Sequence, residues 1–167
     1  MASIVKLVDP ARNEFLAGLE RKEENENHFF RAMANKPEAL KNFVPFYHSV
    51  MTAGSVDRRI KELVYLAVSY VNECPYCINS HTTTGAKSGI SDEEMRAVQT
   101  EQDHGFTPHE RAALQYAREL TRTCDVDDVS DELGKLFSDE QLVELTLVVA
   151  LANFTNRFNN GLGIKPE

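Results

Sequence analysis

Hydrophobic residues along this chain recur mostly with a helical period, and the alternating pattern of β-strands is nearly absent. The clearest helical pattern runs over residues 56–73, where one stripe of the predicted helix is apolar: Ile60, Leu63, Val64, Ala67, Val68 and Val71. The last pattern, from about Asp139 to Asn159, is apolar on nearly all sides, which is typical of a helix buried in a core or in a subunit contact. Residues 4–8 are strand-like but have no partner strand. The pattern predicts an all-α domain of about seven or eight helices.

Polar and proline residues indicate where these helices begin and end. Three pairs have the spacing of a capping box: Ser91 with Glu94, Thr107 with Glu110, and Ser138 with Gln141. The first helix is predicted to begin at Asp9-Pro10, and Ser130 is predicted to open a shorter one. A further helix begins at Pro37, and Pro45 inside it should kink it or split it in two.

Length and charge narrow the class of protein. The 167 residues are predicted to form a single domain, with an N-terminal helical arm (1–36) and a core (37–167). A net charge of −8 disfavours binding to nucleic acid or to an anionic membrane surface. The chain has three cysteines, no cleavable leader pattern and no apolar run long enough to span a bilayer, so we expect reduced thiols and a cytoplasmic location.

Candidate chemistry is concentrated around a Cys-x-x-Cys motif. Pro75 is predicted to end one helix and to open the next, which closes near Gly89. Cys74 then lies at a helix N-cap, and both thiols lie at the positive end of the helix dipole, which lowers thiol pKa values. His81 follows Cys77 by four residues, so the two side chains share a helix face. The motif therefore combines two thiols with a base.

Glu62 lies on the preceding helix, and its spacing does not determine whether it approaches His81. If it does, it would orient the imidazole or relay its proton, as the third member of a nucleophile–base–orienter site. If it does not, Glu62 would be a solvent-facing residue of an amphipathic helix.

The same residues could instead bind zinc. Cys74, Cys77 and His81 would supply three ligands, and the fourth would have to come from Cys124, His104 or His109. Zinc ligand pairs usually lie on loops rather than on a helix that begins at proline, and a domain of this size does not need a metal to fold. A redox dithiol is therefore favoured, and Cys124, which has no polar cluster around it, is interpreted as a bystander thiol.

The arrangement resembles a known family. Cys-Pro-Tyr-Cys alone is similar to the glutaredoxin active site, but that fold needs a strand before the motif, where this chain has a predicted helix. Glu62, Cys74, Cys77 and His81 match position for position the Glu-x11-Cys-x2-Cys-x3-His signature of carboxymuconolactone decarboxylase-like proteins, in their alkyl hydroperoxidase D (AhpD) branch. The resemblance covers roughly residue 43 to the end.

This resemblance implies an all-α fold, a homo-oligomer (trimer or hexamer) and a peroxidase that needs no bound cofactor, neither haem nor metal. It implies that Cys77 is the peroxidatic thiol, that Cys74 is the resolving thiol, and that His81 and Glu62 form a proton relay. The substrate would be a hydroperoxide, and the electron donor an external dithiol, in the family's best-known case a lipoylated protein. Some members carry a histidine between the two cysteines, where this chain has Tyr76. The alternatives are a lactone decarboxylase and a zinc-stabilised module without enzymatic activity.

Overall fold

The fold is all-α, as the hydrophobic pattern predicts. The structure, a computed structural model, describes residues 3–23 and 27–166, and no β-strand occurs within these ranges. They contain nine α-helices: α1 (Glu14–Glu23), α2 (His28–Met33), α3 (Pro37–Met51), α4 (Arg58–Val71), α5 (Pro75–Lys87), α6 (Asp92–Thr100), α7 (Pro108–Thr123), α8 (Asp127–Leu136) and α9 (Asp139–Leu162). Two single 3-10 turns, Pro10–Arg12 and Asp103–Gly105, precede α1 and α7.

Helix α4 lies at the centre and packs against α5, α6, α7 and α9. All nine residues from 61 to 69 are buried, so α4 is covered on more sides than its predicted apolar stripe. Lys61, Glu62 and Ser69 are buried with it, and buried polar groups require partners. The Ser69 hydroxyl donates to the carbonyl of Tyr65 at 2.8 Å, Lys61 pairs with Glu144 of α9, and Glu62 pairs with Arg58 one turn earlier on α4.

Local signals at the helix ends are largely confirmed. All three capping boxes form, with both reciprocal hydrogen bonds present at the start of α6, α7 and α9. Helix α5 begins at Pro75 with Cys74 as its N-cap, as predicted, and Gly89 follows its end with a φ of +81°, which favours glycine.

The first helix begins later than predicted. Asp9 and Pro10 form a 3-10 turn, in which the Asp9 carboxylate accepts from the backbone N–H of Ala11. Asn13 then breaks the helical backbone, and its side-chain oxygen accepts from the Leu16 N–H at 3.0 Å, so α1 begins at Glu14.

One further boundary prediction is wrong, and one of the two outcomes predicted for Pro45 does not occur. Ser130 does not open a helix: α8 begins at Asp127, and the Ser130 hydroxyl donates back to the Asp127 carbonyl at 3.2 Å. Pro45 does not split α3, which runs as one helix from Pro37 to Met51 with buried residues on both sides of the proline. Packing of both halves against the core holds this helix together despite the backbone N–H that proline lacks.

Helix α9 is buried on one side and exposed on the other. It extends three residues beyond the predicted end and stops at Gly163, whose φ is +67°. A helix turns by about 100° about its axis per residue, which places three side chains within 40° of one another on the outer face of α9. All three are exposed: Val143, Leu147 and Phe154. Burial on nearly all sides is therefore not achieved within this chain.

The predicted N-terminal arm contributes to the same hydrophobic cluster as the predicted core, through Leu16, Phe29 and Phe30. The division into arm and core stays a prediction. Within the described ranges, no helix is both long and apolar enough to cross a membrane.

Candidate active site

The two cysteines of the motif lie together in the first turn of α5. Their Sγ atoms are 2.6 Å apart, and both are free thiols that are almost completely buried. Cys74 is the N-cap, and its sulfur accepts the backbone N–H of Cys77 at 3.3 Å. The proline-started helix thus brings the second thiol within hydrogen-bond reach of the first.

The two thiols differ in acidity because of this contact. The hydrogen bond from Cys74 lowers the pKa of Cys77 and outweighs the opposing effect of burial. The side-chain amide of Asn159, which donates to Cys77 Sγ at 3.3 Å, lowers that pKa further. The same contact with Cys77, together with burial, raises the pKa of Cys74. Cys77 is therefore the thiol that ionises first, with Cys74 as its proton-bearing neighbour.

Glu62 and His81 are in direct contact. His81 Nδ1 lies 2.7 Å from Glu62 Oε2, which also accepts from the Thr84 hydroxyl at 2.7 Å. Arg58 donates to the other carboxylate oxygen at 2.8 Å. Burial alone would raise the pKa of Glu62, but these bonds, led by that of His81, lower it overall. Glu62 is thus a fully buried carboxylate, and the solvent-facing interpretation is wrong.

The contact with Glu62 sets the tautomer of the histidine. A carboxylate only accepts hydrogen bonds, so Nδ1 of His81 carries the proton, and Nε2 is the nitrogen left for proton exchange.

Tyr65 supports the same imidazole ring from its face. The two rings stack at a centroid distance of 3.5 Å with 15° between their planes, and the Tyr65 hydroxyl bonds to Thr155. Burial raises the pKa of Tyr65 well above its usual range, so this phenol stays neutral. Sequence reasoning missed Tyr65, although it follows Glu62 by three residues and so lies on the same side of α4.

Cys77 and His81 open onto a cavity of about 60 Å³. Six of its twelve lining residues are phenylalanine or tyrosine: Phe29, Phe30, Phe43, Tyr47, Tyr65 and Tyr76. Asn159 lines it together with Cys77 and His81, whereas Cys74 does not. A volume of this size holds a few water molecules or a compact organic group. The more acidic thiol and the imidazole therefore face one small apolar chamber.

Residues 37–119 match the model of the carboxymuconolactone decarboxylase family. This segment contains Glu62, Cys74, Cys77 and His81. The chain belongs to that family. Its similarity to YdfG of Bacillus subtilis, an uncharacterised protein, is 27% identity over 113 residues, which is 65% of this chain and 77% of YdfG.

One solved structure supports the AhpD-like branch of the carboxymuconolactone decarboxylase family, and two others share its fold. A putative antioxidant defence protein AhpD from Agrobacterium tumefaciens is 27% identical, with a TM-score of 0.72 over 80% of this chain and 94% of the other. An AhpD-core, peroxidase-related protein from Ralstonia eutropha has a TM-score of 0.87 at 19% identity, over 99% of this chain and 92% of the other. The debrominase Bmp8, in complex with 2,3,4-tribromopyrrole, has a TM-score of 0.85 at 18% identity, over 100% of this chain and 93% of Bmp8. The last two likenesses show the fold alone.

Tyr76 occupies the position at which some members of the carboxymuconolactone decarboxylase family have a histidine. Its hydroxyl donates to Asn27 Oδ1 at 3.2 Å and accepts from the Phe29 N–H at 3.3 Å. Tyr76 therefore connects α5 to the start of α2 and, with Phe29, closes one side of the cavity.

The other candidate ligands of a zinc site lie elsewhere. Cys124 is exposed at the C-cap of α7, and His109 packs edge-on against Phe137 at 5.3 Å. In the part of the chain that the structure describes, no three His, Cys, Asp or Glu side chains are arranged to share a metal ion.

Proposed function

We propose that this protein is a thiol-dependent peroxidase that reduces hydroperoxides through a Cys74–Cys77 dithiol and disulfide cycle. The observation that carries the proposal is the position of Cys77. Its pKa is lowered, it faces a small apolar cavity with His81, and a second thiol lies 2.6 Å from its sulfur. A low-pKa thiol beside a resolving thiol is the usual arrangement for reversible oxidation by peroxides.

In the first step, the Cys77 thiolate attacks the terminal oxygen of the hydroperoxide. An S–O bond forms and the O–O bond breaks, which leaves a sulfenic acid on Cys77. The departing alkoxide takes a proton from His81 and leaves as the alcohol. Glu62, whose Oε2 lies 2.7 Å from Nδ1, holds the imidazole in place, and Nε2 carries the proton that the Cys77 thiol gave up.

In the second step, the sulfur of Cys74 attacks Cys77. The S–O bond breaks, the hydroxyl leaves as water with the Cys74 proton, and the disulfide forms. Two electrons from an external dithiol then restore both thiols. We propose a lipoylated protein as this donor and a homo-oligomer as the working form, with no bound cofactor.

Thiol counting by mass spectrometry tests the proposal. Reduced protein treated with one equivalent of tert-butyl hydroperoxide is expected to lose two hydrogens by forming the Cys74–Cys77 disulfide. Cys77→Ser abolishes this change, whereas Cys124→Ser, at the exposed cysteine, retains it. Survival of both thiols in the wild-type protein would show that the proposed function is wrong.

The aromatic cavity wall favours one other function for the same dithiol, reductive removal of halogen from an aromatic ring. The debrominase Bmp8 has a similar fold, and six aromatic side chains beside Cys77 suit a planar ligand. The two thiols would give up two electrons and two protons, yielding the disulfide, the dehalogenated ring and hydrogen bromide. Release of bromide from a brominated pyrrole, at a rate above that of hydroperoxide reduction, would favour this second function.

Lactone decarboxylation has less support, because that reaction needs no pair of thiols. Turnover of a carboxymuconolactone by the Cys74→Ser, Cys77→Ser double variant would favour it over the peroxidase.

A further inference from the structure

Asn159 is a buried residue with one unused hydrogen-bonding atom at the edge of the cavity. It lies near the end of α9, 82 residues from Cys77, and only 1% of it is exposed. Its Nδ2 donates to Cys77 Sγ at 3.3 Å. Its Oδ1 is buried and has no donor among the described residues. A buried acceptor without a partner costs free energy, so it requires a specific reason.

The neighbouring asparagine shows how this acceptor differs. Asn156, one turn earlier on α9, uses both ends of its amide: its Nδ2 donates to Ser69 at 3.2 Å, and its Oδ1 accepts from Asn72 at 2.9 Å. The amide of Asn159 cannot be reversed to find a partner, because its oxygen would then face the sulfur that ionises. The thiolate therefore fixes Nδ2 and leaves Oδ1 as a free acceptor beside it.

We propose that Asn159 is a catalytic residue that binds the reacting oxygen of the substrate, an inference that rests on the proposed peroxidase function. Oδ1 accepts the hydrogen bond of the terminal O–H group of the hydroperoxide, while Nδ2 holds the Cys77 thiolate. Sulfur attacks that same oxygen, the O–O bond breaks, and the alkoxide takes its proton from His81. The hydrogen stays on the transferred oxygen, so Oδ1 binds the O–H group both before the attack and in the sulfenic acid after it.

This role defines the substrate class. The attacked oxygen must carry a hydrogen, which is true of hydrogen peroxide and alkyl hydroperoxides but not of dialkyl peroxides or aryl halides. The aromatic wall and the cavity volume of about 60 Å³ favour a compact apolar group on the other oxygen.

The test separates binding of the O–H group from activation of the thiol. The parent protein and every variant carry Cys74→Ser and Cys124→Ser, so that Cys77 is the remaining thiol. Each protein is assayed at a pH above the pKa of its own Cys77. One rate is sulfenic acid formation with tert-butyl hydroperoxide, trapped with dimedone. The other is modification by methyl methanethiosulfonate, a reagent that the same thiolate attacks with release of methanesulfinate and that has neither an O–H nor an N–H group. The variants are Asn159→Leu, of similar volume, and Asn159→Ala, with Asn153→Ala on the same helix as the control.

Asn159→Leu and Asn159→Ala are expected to slow sulfenic acid formation about tenfold and to change the methanethiosulfonate rate by less than about twofold, since one hydrogen bond is lost. Asn153→Ala is expected to change neither rate. Equal losses in both rates, or no loss with hydroperoxide, would overturn the role of Asn159. Absence of sulfenic acid in the parent protein, with normal methanethiosulfonate reactivity, would instead overturn the proposed peroxidase function and this inference with it.

Discussion

At the scale of single residues, the difference between two adjacent thiols is the central property of the site. The largest cause of the lowered pKa of Cys77 is the hydrogen bond from Cys74. Cys74→Ala removes this donor, and the pKa of Cys77 is then expected to rise, so that its thiolate forms at higher pH. The measurement is the pH dependence of Cys77 alkylation by iodoacetamide, in a Cys124→Ser background.

Cys74→Ser is the matched control, because a hydroxyl still donates a hydrogen bond. Its alkylation midpoint should lie between that of the parent protein and that of Cys74→Ala. Identical midpoints in all three proteins would show that Cys74 does not stabilise the thiolate.

Glu62 gives a pH dependence of stability. The pKa of Glu62 is lowered in the folded state, relative to a value of about 4.3 in the unfolded chain. The ionised carboxylate therefore stabilises the fold at pH values above the unfolded pKa, and this contribution is lost as the pH falls through the folded-state pKa. Glu62→Gln is expected to lower the free energy of unfolding by roughly 1.5–3 kcal/mol at pH 7, because hydrogen bonds to a charged group are lost. Urea unfolding at pH 7 and at acidic pH checks this.

The difference between wild type and Glu62→Gln should shrink as pH falls below the unfolded pKa. Glu38→Gln, at a carboxylate with 75% of its side chain exposed, should leave stability nearly unchanged. A pH-independent difference for Glu62→Gln would contradict the role of its charge.

Residue spacing predicted part of this site and could not predict the rest. Cys74, Cys77 and His81 lie on one helix, so their proximity follows from helical geometry. The contact between Glu62 and His81 depends on how α4 packs against α5, which spacing does not specify. Asn159 comes from α9, and no local signal connects it to Cys77.

At the scale of elements, the predictions that were confirmed rest on interactions within four residues. The capping box of Thr107 and Glu110 is complete within one turn, so tertiary packing does not alter it. Ser130 was misleading, because a serine hydroxyl also bonds backward to a carbonyl of the preceding turn. The continuity of α3 across Pro45 depends on burial of its two halves, which the local pattern does not reveal.

The buried Lys61 connects three elements. Its ammonium pairs with Glu144 of α9 and donates to the Val50 carbonyl of α3 at 2.7 Å, with 1% of its side chain exposed. Lys61→Ala leaves the carboxylate without its cation, and a loss of about 3–5 kcal/mol in unfolding free energy is expected. Urea denaturation measures this loss.

Lys41→Ala is the matched control, since Lys41 pairs with Glu38 on the surface and should change stability by less than about 1 kcal/mol. The double variant Lys61→Met, Glu144→Gln should be more stable than Lys61→Ala, because neither charge of the pair is then left buried. A Lys61→Ala protein as stable as Lys41→Ala would contradict the structural role of the pair.

At the scale of the whole molecule, the outer face of α9 is an apolar surface that one chain leaves uncovered. Val143 is 61% exposed and Phe154 is 51% exposed, with Leu147 between them. Phe154 also stacks on Phe43, a residue of the cavity wall, at 5.6 Å. The apolar face of α9 is therefore continuous with the wall of the candidate site.

We expect this face to be covered by other copies of the chain, in line with the predicted homo-oligomer. Leu147→Glu places a charge in the apolar contact and should shift the protein to a lower mass in light scattering coupled to size-exclusion chromatography. Thr100→Glu, which adds the same charge on α6, should leave the mass unchanged. Because Phe154 contacts Phe43 in the cavity wall, dissociation of the oligomer is also expected to slow hydroperoxide reduction. A slower reaction in Leu147→Glu would show that assembly supports activity, whereas an unchanged rate would show that the copies only associate. A wild-type protein with the mass of one chain would contradict the oligomer, and unchanged mass in Leu147→Glu would place the contact on another surface.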